Sequence, residues 1–514
     1  MYKKQIAHFI RKYHVEIILV IILAISIFFR FFEYENRLGF AYDQARDVIV
    51  SRFAVQNHGL PLTGPFSSAG PFVYGPQWYW ILMGMILTYP FSIYTPWVIQ
   101  TSMYVGIVLI MFVIGKETKD KYLGLILAIL TCFSSGQIAQ ATNLTSPSMV
   151  GILAALSTLF LVRAVKYSKK IDYFLLSFVV GNAICTHFQA IGLLIYLPLA
   201  LIFGQSFFIR RYVLSLMSQG RKKAAFNPGP DARELIKFTL IIMCGLIIPF
   251  IPLIIFDFIS NHFESKNMLQ YYFHDQYKIS FEVLGRRWLS YVLDFWPHAW
   301  ARVVGGNNIV LLAVVIFGTI VVISKHRKVE KLTSMFILAY LFVFFELRYF
   351  RGPLFDGYIA FLHPVIIILT GILIFNLIKR NKYIGFFAMT ILLAGSLWLT
   401  IQDISYSDNA IKRSLEQVSK QLVEKYPNKK IVLYDYRYKT SNYSIPLSLF
   451  LSLQKSNSEK ISIGMYDRNI KNYKNPLTME GFTFIVLKEV DIKDKKWISV
   501  DPSNVYHSVV GWYK

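Results

Sequence analysis

Cysteine is nearly absent from this chain, and the little there is carries no chemistry. Cys132, Cys185 and Cys244 are the three in 514 residues. Each falls in or beside an apolar run, where a free thiol packs as a small hydrophobe, and no spacing among them suits a metal ion. Charge is also scarce. Asp, Glu, Lys and Arg make up 16% of the chain, against about 25% in average soluble usage, which excludes an ordinary soluble protein. The familiar catalytic signatures are missing: there is no Gly-x-Gly-x-x-Gly, phosphate-binding loop, His-Glu-x-x-His, Gly-x-Ser-x-Gly or Cys-x-x-Cys. Internal repeats and symmetric pairs of broken hydrophobic segments are missing too, so the marks of a transporter are not there.

Apolar residues are what the chain has in abundance. They make up 55% of it, gathered into many runs near the 20 residues that cross a bilayer. The chain therefore reads as a polytopic α-helical membrane protein. Its formal charge of +24 would point to nucleic acid in a soluble protein. Here the basic residues sit in short loops between apolar runs, as the positive-inside bias requires, and no nucleic-acid motif accompanies them. The start, with Lys3, Lys4, Arg11 and Lys12, looks like the basic region of a signal peptide. No small-residue cleavage site follows Phe29, so an uncleaved first span is expected.

Candidate spans are 15–32, 96–115, 122–139, 147–162, 171–186, 188–209, 237–257, 308–324, 332–347, 359–378 and 383–402. The stretch Phe72 to Pro90 is ambiguous by itself. If it does not cross, the basic loops 116–121, 163–170, 210–237, 325–331 and 379–382 all share the side of the N-terminus. If it crosses, all five face out. The positive-inside rule selects the first arrangement. About eleven spans result, with the N-terminus inside and the C-terminus outside, and Phe72 to Pro90 becomes an aromatic helix along the outer face. Trp78, Tyr79 and Trp80 are then expected at interface depth. The basic inner loop 206–236 reads as a membrane-surface anchor.

The outer side holds the loops 33–95, 140–146, a short turn near His187, 258–307, 348–358 and the tail from Asp403. In the tail, Ile411, Leu415, Val418 and Leu422 repeat with helical spacing, Pro427-Asn428 breaks the helix, and 431–434 and 482–487 read as strands. A small extracytoplasmic α/β domain over 403–514 is expected, tethered to a membrane domain over 1–402.

The residues able to do chemistry collect on this outer side. Asp43, flanked by Tyr42 and Gln44, is the leading candidate for a general base towards a hydroxyl or amine. Arg46, one turn on, would orient it or bind an anion; alternatively, Asp43, Arg46 and Asp47 form an ion-pair cluster that caps a loop helix. Tyr74 and Gln77 stand at a Gly-Pro turn and are candidates to face a pocket. His187 and Gln189 lie at the outer end of a span, as ligand contacts or as structural groups. Arg286, Arg287, Arg348 and Arg351 are arginines on the side that positive-inside disfavours. Boundary guanidinia suit a phosphate, the alternative being lipid headgroups. Tyr349 and His363 belong to the same late segment. The sequon Asn143-Leu144-Thr145 is a short match with no further support.

Three of these stretches resemble the C-type (GT-C) membrane glycosyltransferases of family 39, a branch that includes protein O-mannosyltransferases and bacterial lipid A aminoarabinose transferases. Tyr42-Asp43-Gln44 sits where the family carries an acidic Asp-Glu pair in the first outer loop. Tyr74-Gly-Pro-Gln-Trp-Tyr-Trp80 is similar to the family's His-Pro-Pro-Leu-Tyr-Tyr-Trp pattern, which begins an outer jutting helix. Arg348-Tyr349 leading to His363-Pro364 is similar to its late Arg-Tyr and Pro motif. Gln44 replaces the Glu, and Tyr74 stands in place of the His. The resemblance implies a GT-C fold with outer-face jutting helices and a polyprenyl-phosphate sugar donor attacked with inversion. It implies Asp43 as base, and Arg348, with Arg286 or Arg287, on the lipid phosphate. The acceptor is then a lipid, a glycan or a protein. No cofactor is implied, and no His/Asp cluster has ligand spacing, so a metal-independent enzyme is expected.

Two other classes compete: a transporter or flippase of a lipid-linked sugar, which charges buried in mid-span would favour, and a non-catalytic envelope-assembly scaffold.

Overall fold

The computed structural model describes residues 2–204, 230–278, 288–306, 331–349, 356–406, 409–437, 439–453, 459–467, 473, 476–493 and 496–510. The expected span 308–324 lies outside them. Among the described residues, six helical stretches are long and apolar enough to cross a membrane: Arg11–Phe31, Thr95–Thr118, Ser146–Tyr167, Arg233–Ile259, Gly357–Arg380 and the run that begins at Lys382. A seventh is a pair, Lys121–Phe133 and Ser135–Thr142, bent by 57° at Ser134. This is a multi-pass helical membrane protein.

Two of the expected spans take shorter or irregular forms among the described residues. The segment 171–186 forms a helix of 17 residues, Lys170–Thr186, and 188–209 opens in the 3-10 run Phe188–Ile195 before the helix Tyr196–Gly204. Gln77–Thr88, at 12 residues and 1.5 Å per residue, is about 18 Å long, too short to cross a hydrocarbon core of about 30 Å. Its aromatic face differs from expectation. Trp78 and Tyr79 are fully buried against protein, because Asp47 gives both a hydrogen-bond acceptor that lipid lacks. Trp80 is half-buried, and its indole donates to Pro61 O.

The bend at Ser134 has an identifiable cap. Arg30, buried at the end of the first helix, donates to the carbonyls of Thr131 and Cys132, at 3.2 and 3.3 Å, and to Ser26 Oγ at 2.7 Å. Those carbonyls belong to the last turn of Lys121–Phe133, where no intrahelical donor follows. Ser134 Oγ then accepts from Gln137 N and starts the next helix. At the opposite end of the bundle, Lys166 pairs with Glu117 at 2.8 Å and Lys119 lies over the Phe375 ring, so the basic loops 116–121 and 163–170 and the foot of the helix His363–Arg380 share one face.

The last membrane helix, Lys382–Tyr406, returns to the face where the first one ends. Asn409 donates to the carbonyls of Glu35 and Leu38, both at 2.8 Å. From there the helix Ala410–Lys425, as its periodicity requires, leads into a five-stranded sheet. The strands are β1 Lys430–Tyr436, β2 Lys460–Met465, β3 Leu477–Met479, β4 Phe482–Val486 and β5 Trp497–Ser499, in the order β3-β4-β2-β1-β5. Strands β1 and β2 pair in parallel, Ile431 opposite Ile461 and Leu433 opposite Ile463, with the helix Ser441–Leu451 between them in sequence as their crossover. β1 and β4 are the two strands read from the sequence; β2, β3 and β5 are additions. This sheet layer sits on the segment 40–53 through the ring pairs Phe53–Tyr506 and Phe40–Phe450.

Candidate active site

Asp43, Arg46 and Asp47 lie in the first turns of the helix Tyr42–Gln56. Three- and four-residue spacing places side chains on one helix face. Arg46 bridges its neighbours: Nη1 is 2.7 Å from Asp43 Oδ1 and Nη2 is 2.8 Å from Asp47 Oδ1. Its guanidinium also lies over the Tyr42 ring, 5.4 Å from the centroid. Asp47 is buried, with a side chain 5% exposed, whereas that of Asp43 is 65% exposed. Trp78 Nε1 donates to Asp47 Oδ2 at 2.8 Å and Tyr79 Oη to Oδ1 at 3.3 Å. Burial works against the Arg46 charge, but Asp47, Tyr79 and Asp43 outweigh it and hold the guanidinium above its ordinary pKa. The buried acid, the arginine and two aromatic donors thus hold the exposed carboxylate of Asp43 in one orientation.

Tyr74, His187 and Gln189 meet in a cavity of about 260 Å³, whose lining does not include Asp43, Arg46 or Asp47. Tyr74 arrives on a short hairpin closed by the Phe66–Val73 bridge. Gly75 pins that hairpin to the helix Lys170–Thr186 by donating to Cys185 O at 2.8 Å, and a Cβ there would lie 2.7 Å from Cys185 Cβ. The Tyr74 and His187 rings stack at 4.4 Å between centroids, and His187 lies 5.4 Å from the Tyr358 ring. Burial pushes His187 down to about 3, so the ring is neutral, and burial pushes the Tyr74 phenol up. His187 Nδ1 accepts from Gln189 N, and Gln189 Nε2 donates to Gly357 O at 3.3 Å. The Asp43 helix connects to the same wall, since Gln44 Nε2 donates to Asn143 Oδ1 at 2.9 Å and Gln140 lies beside Gly357.

Other expected residues are placed elsewhere. Gln77 donates to Pro249 O and fastens the aromatic helix. His363 is buried and hydrogen-bonded to Gln137 at 3.0 Å, where it docks the bent piece Ser135–Thr142. Arg348 is buried, its guanidinium 4.4 Å from the Trp288 ring centroid, with Nε lacking a hydrogen-bond partner. Tyr349 closes the same helix, Lys331–Tyr349. Arg286, Arg287 and Arg351 lie outside the described residues. Among the described residues, no group of three His, Cys, Asp or Glu side chains is placed to hold a metal ion.

Glu346 is the residue that sequence reasoning missed. It lines the cavity, and its Oε2 is buried without a hydrogen-bond partner. Being the one acid within the apolar run 332–347 was a usable signal, because charges inside membrane segments concentrate at functional positions.

Solved structures with the same architecture are known. The chain matches ArnT from Cupriavidus metallidurans in the apo state with a TM-score of 0.59 at 10% identity, covering 94% of this chain and 98% of that one. The fold is that of the GT-C glycosyltransferases. ArnT bound to undecaprenyl phosphate matches with a TM-score of 0.56 at 11% identity over 91% of this chain and 97% of that one. The apo oligosaccharyltransferase of Archaeoglobus fulgidus matches with a TM-score of 0.52 at 11% identity over 85% of this chain. This chain spans 64% of the length of that archaeal structure. No protein-family model matches the sequence, and no curated protein matches it.

Proposed function

We propose that this chain is an inverting membrane glycosyltransferase that moves a sugar from a polyprenyl-phosphate donor to an acceptor on the outer face. The observation that carries this reading is the exposed Asp43 carboxylate, held by Arg46 and the buried Asp47, on a fold shared with ArnT. That ArnT binds undecaprenyl phosphate supports a lipid-phosphate donor here.

In the proposed reaction Asp43 takes the proton of the acceptor hydroxyl or amine. The freed electron pair attacks the anomeric carbon from the face opposite the phosphate, so configuration inverts. The bond from that carbon to the phosphate oxygen breaks, and its electron pair leaves with polyprenyl phosphate. A positioned base contributes roughly 10²–10⁴-fold. Fixed cations near the leaving group contribute more, and Arg348 takes that role, with Arg286, Arg287 and Arg351 as further cations of the same side. Tyr74, His187 and Gln189 contact the sugar, while Gln77 and His363 hold the segments that carry the site.

We assign the transferase to residues 1–402 and an outer α/β unit to 403–514, in a cell-membrane protein of about eleven spans. The basic loops face the cytoplasm with the N-terminus, and the site faces outward. Sugar nucleotides are cytoplasmic, so an outward-facing transferase needs a donor carried across on a lipid.

The test uses purified chain in lipid with a panel of radiolabelled polyprenyl-phosphate sugars and membrane extract as acceptor. Asp43→Asn is expected to abolish transfer while folding and donor binding persist. Wild-type turnover in that variant would remove Asp43 as the base.

A further inference from the structure

A second cavity, of about 290 Å³, lies where the helix Tyr42–Gln56 meets the C-terminal sheet layer. It shares no lining residue with the cavity around His187. Arg52 is buried on its wall, and at 3.6 residues per turn Arg52 and Asp43 leave their helix on opposite sides. The Arg52 guanidinium has five N–H donors. Nη2 donates to Pro90 O at 2.8 Å and Nη1 to Ser92 O at 3.3 Å, and the remaining donors have no protein acceptor. No carboxylate among the described residues pairs with it, and burial alone lowers its pKa. A buried charge without a counter-ion is costly, so an anion at this wall supplies what the protein does not. The neighbouring side chains agree in sign. Lys430 is exposed at the start of β1, and Lys429 is held at 2.9 Å by Glu459, whose side chain is 70% exposed, a weak pair. Asp501 is the one acid on the wall. It precedes the helix Pro502–Val509 without capping it, so the first turn, with Ser503 on the wall, keeps open N–H groups that favour an anion.

The surroundings narrow the anion to one source. Leu87, Tyr89 and Phe91 are large apolar side chains, and all three are exposed. They lie just before the membrane helix Thr95–Thr118, whose first residue donates from Oγ1 to Tyr89 O at 2.8 Å. Exposed apolar and aromatic groups at the end of a span meet the lipid interface. Arg52 grips the carbonyls of residues 90 and 92 in this same stretch, so the cavity begins at the edge of the bilayer, in the layer that headgroups occupy. Basic groups at that depth attract anionic lipid. The cavity has room for a headgroup, while acyl chains would stay outside against the exposed apolar stretch.

We infer that this cavity seats the phosphate headgroup of an anionic phospholipid, with Arg52 and Lys430 on the phosphate and the acyl chains running past Leu87, Tyr89 and Phe91 into the bilayer. The lipid thereby ties the C-terminal unit to the helix that carries Asp43. The inference stands apart from the donor reading above, since it needs neither a sugar nor Arg348.

Hydrogen exchange of the full chain in nanodiscs tests this, followed at 49–56 and 503–509. The discs are phosphatidylcholine alone, or phosphatidylcholine with phosphatidylglycerol, with inorganic phosphate, or with polyprenyl phosphate. Phosphatidylglycerol is expected to slow exchange in both segments by about fivefold or more over phosphatidylcholine alone. Lys430→Glu, a change at an exposed side chain, is expected to raise the phosphatidylglycerol fraction needed for half of that protection by about fivefold. Arg52→Gln is expected to abolish the protection, and if that variant fails to fold, Lys430→Glu decides alone. Lys420→Glu reverses an exposed charge that does not line the cavity and is expected to change nothing. Equal exchange in the two phospholipid discs, or protection that survives Lys430→Glu, would overturn the site. An equal loss in Lys420→Glu would also overturn it, by reducing the effect to general surface attraction. Inorganic phosphate protecting as well as phosphatidylglycerol, or polyprenyl phosphate protecting where phosphatidylglycerol does not, would overturn the phospholipid assignment.

Discussion

The Trp78 indole donates to Asp47 Oδ2 at 2.8 Å, and this bond joins the short aromatic helix to the acidic cluster of the helix Tyr42–Gln56. Asp47 → Ala would leave Arg46 buried without its main partner. Removing one member of a buried ion pair costs about 3–5 kcal/mol, and these side chains, 14% and 5% exposed, are shielded enough for that range to apply. Trp78→Phe keeps the packing and removes one donor, an expected loss of about 1–3 kcal/mol. Thermal unfolding in nanodiscs measures both, and equal effects would mean that the ion pair contributes little.

Arg348 is expected to act through its planar guanidinium. Stacked on Trp288, it keeps charge and donors fixed at the C-terminal end of its helix. Arg348→Ala should weaken polyprenyl-phosphate binding by about tenfold or more, and Arg348→Lys should recover only part of the loss, because an ammonium lacks the planar donor fork. Binding isotherms at two salt concentrations check this, and full recovery by lysine would reduce the role to that of a point charge.

Glu264 makes a pH prediction whose sign is fixed. Its Oε2 accepts from Val73 N at 3.0 Å, in the hairpin that carries Tyr74. Burial, helped by nearby Asp257, raises its pKa from the ordinary 4.5 to about 8. The folded state therefore holds the proton more tightly than the unfolded state. Its stabilising contribution is complete below about pH 4.5 and is lost as pH rises towards 8, by roughly 1.4 kcal/mol per unit inside that window. Glu264→Gln should flatten the decline of the melting temperature between pH 5 and 8 and exceed wild type at the alkaline end. Parallel curves for the two proteins would show that the carboxyl does not titrate there.

Arg30 caps the broken membrane helix, so Arg30→Met should leave the carbonyls of Thr131 and Cys132 without their donor. A loss of about 2–4 kcal/mol is expected from two buried acceptors. Hydrogen exchange localises it: faster exchange confined to 131–142 supports the cap, and uniform exchange across the bundle argues against it.

Membrane character, most spans, the helix at 410–425 and two of the five strands were legible in the sequence, because each follows from local periodicity. The pairing of Asp43 with Arg46 was legible too, at one helical turn. Glu346 was overlooked among apolar neighbours. Trp78 and Tyr79 were misplaced at the membrane interface, because a tryptophan that meets lipid and one that meets a buried carboxylate look alike in one dimension.

Composition and spacing by themselves determined that this chain is built of membrane helices and where its unusual charges fall, since hydropathy, helical repeat and charge bias are properties of neighbours in sequence. Only the tertiary structure decided that Tyr74, His187, Gln189 and Glu346 surround one cavity. They lie on three segments up to about 270 residues apart, and backbone contacts such as Gly75 to Cys185 bring the first two of those segments together. Spacing along the chain carries no record of such contacts, because packing between segments depends on surfaces that no single segment contains.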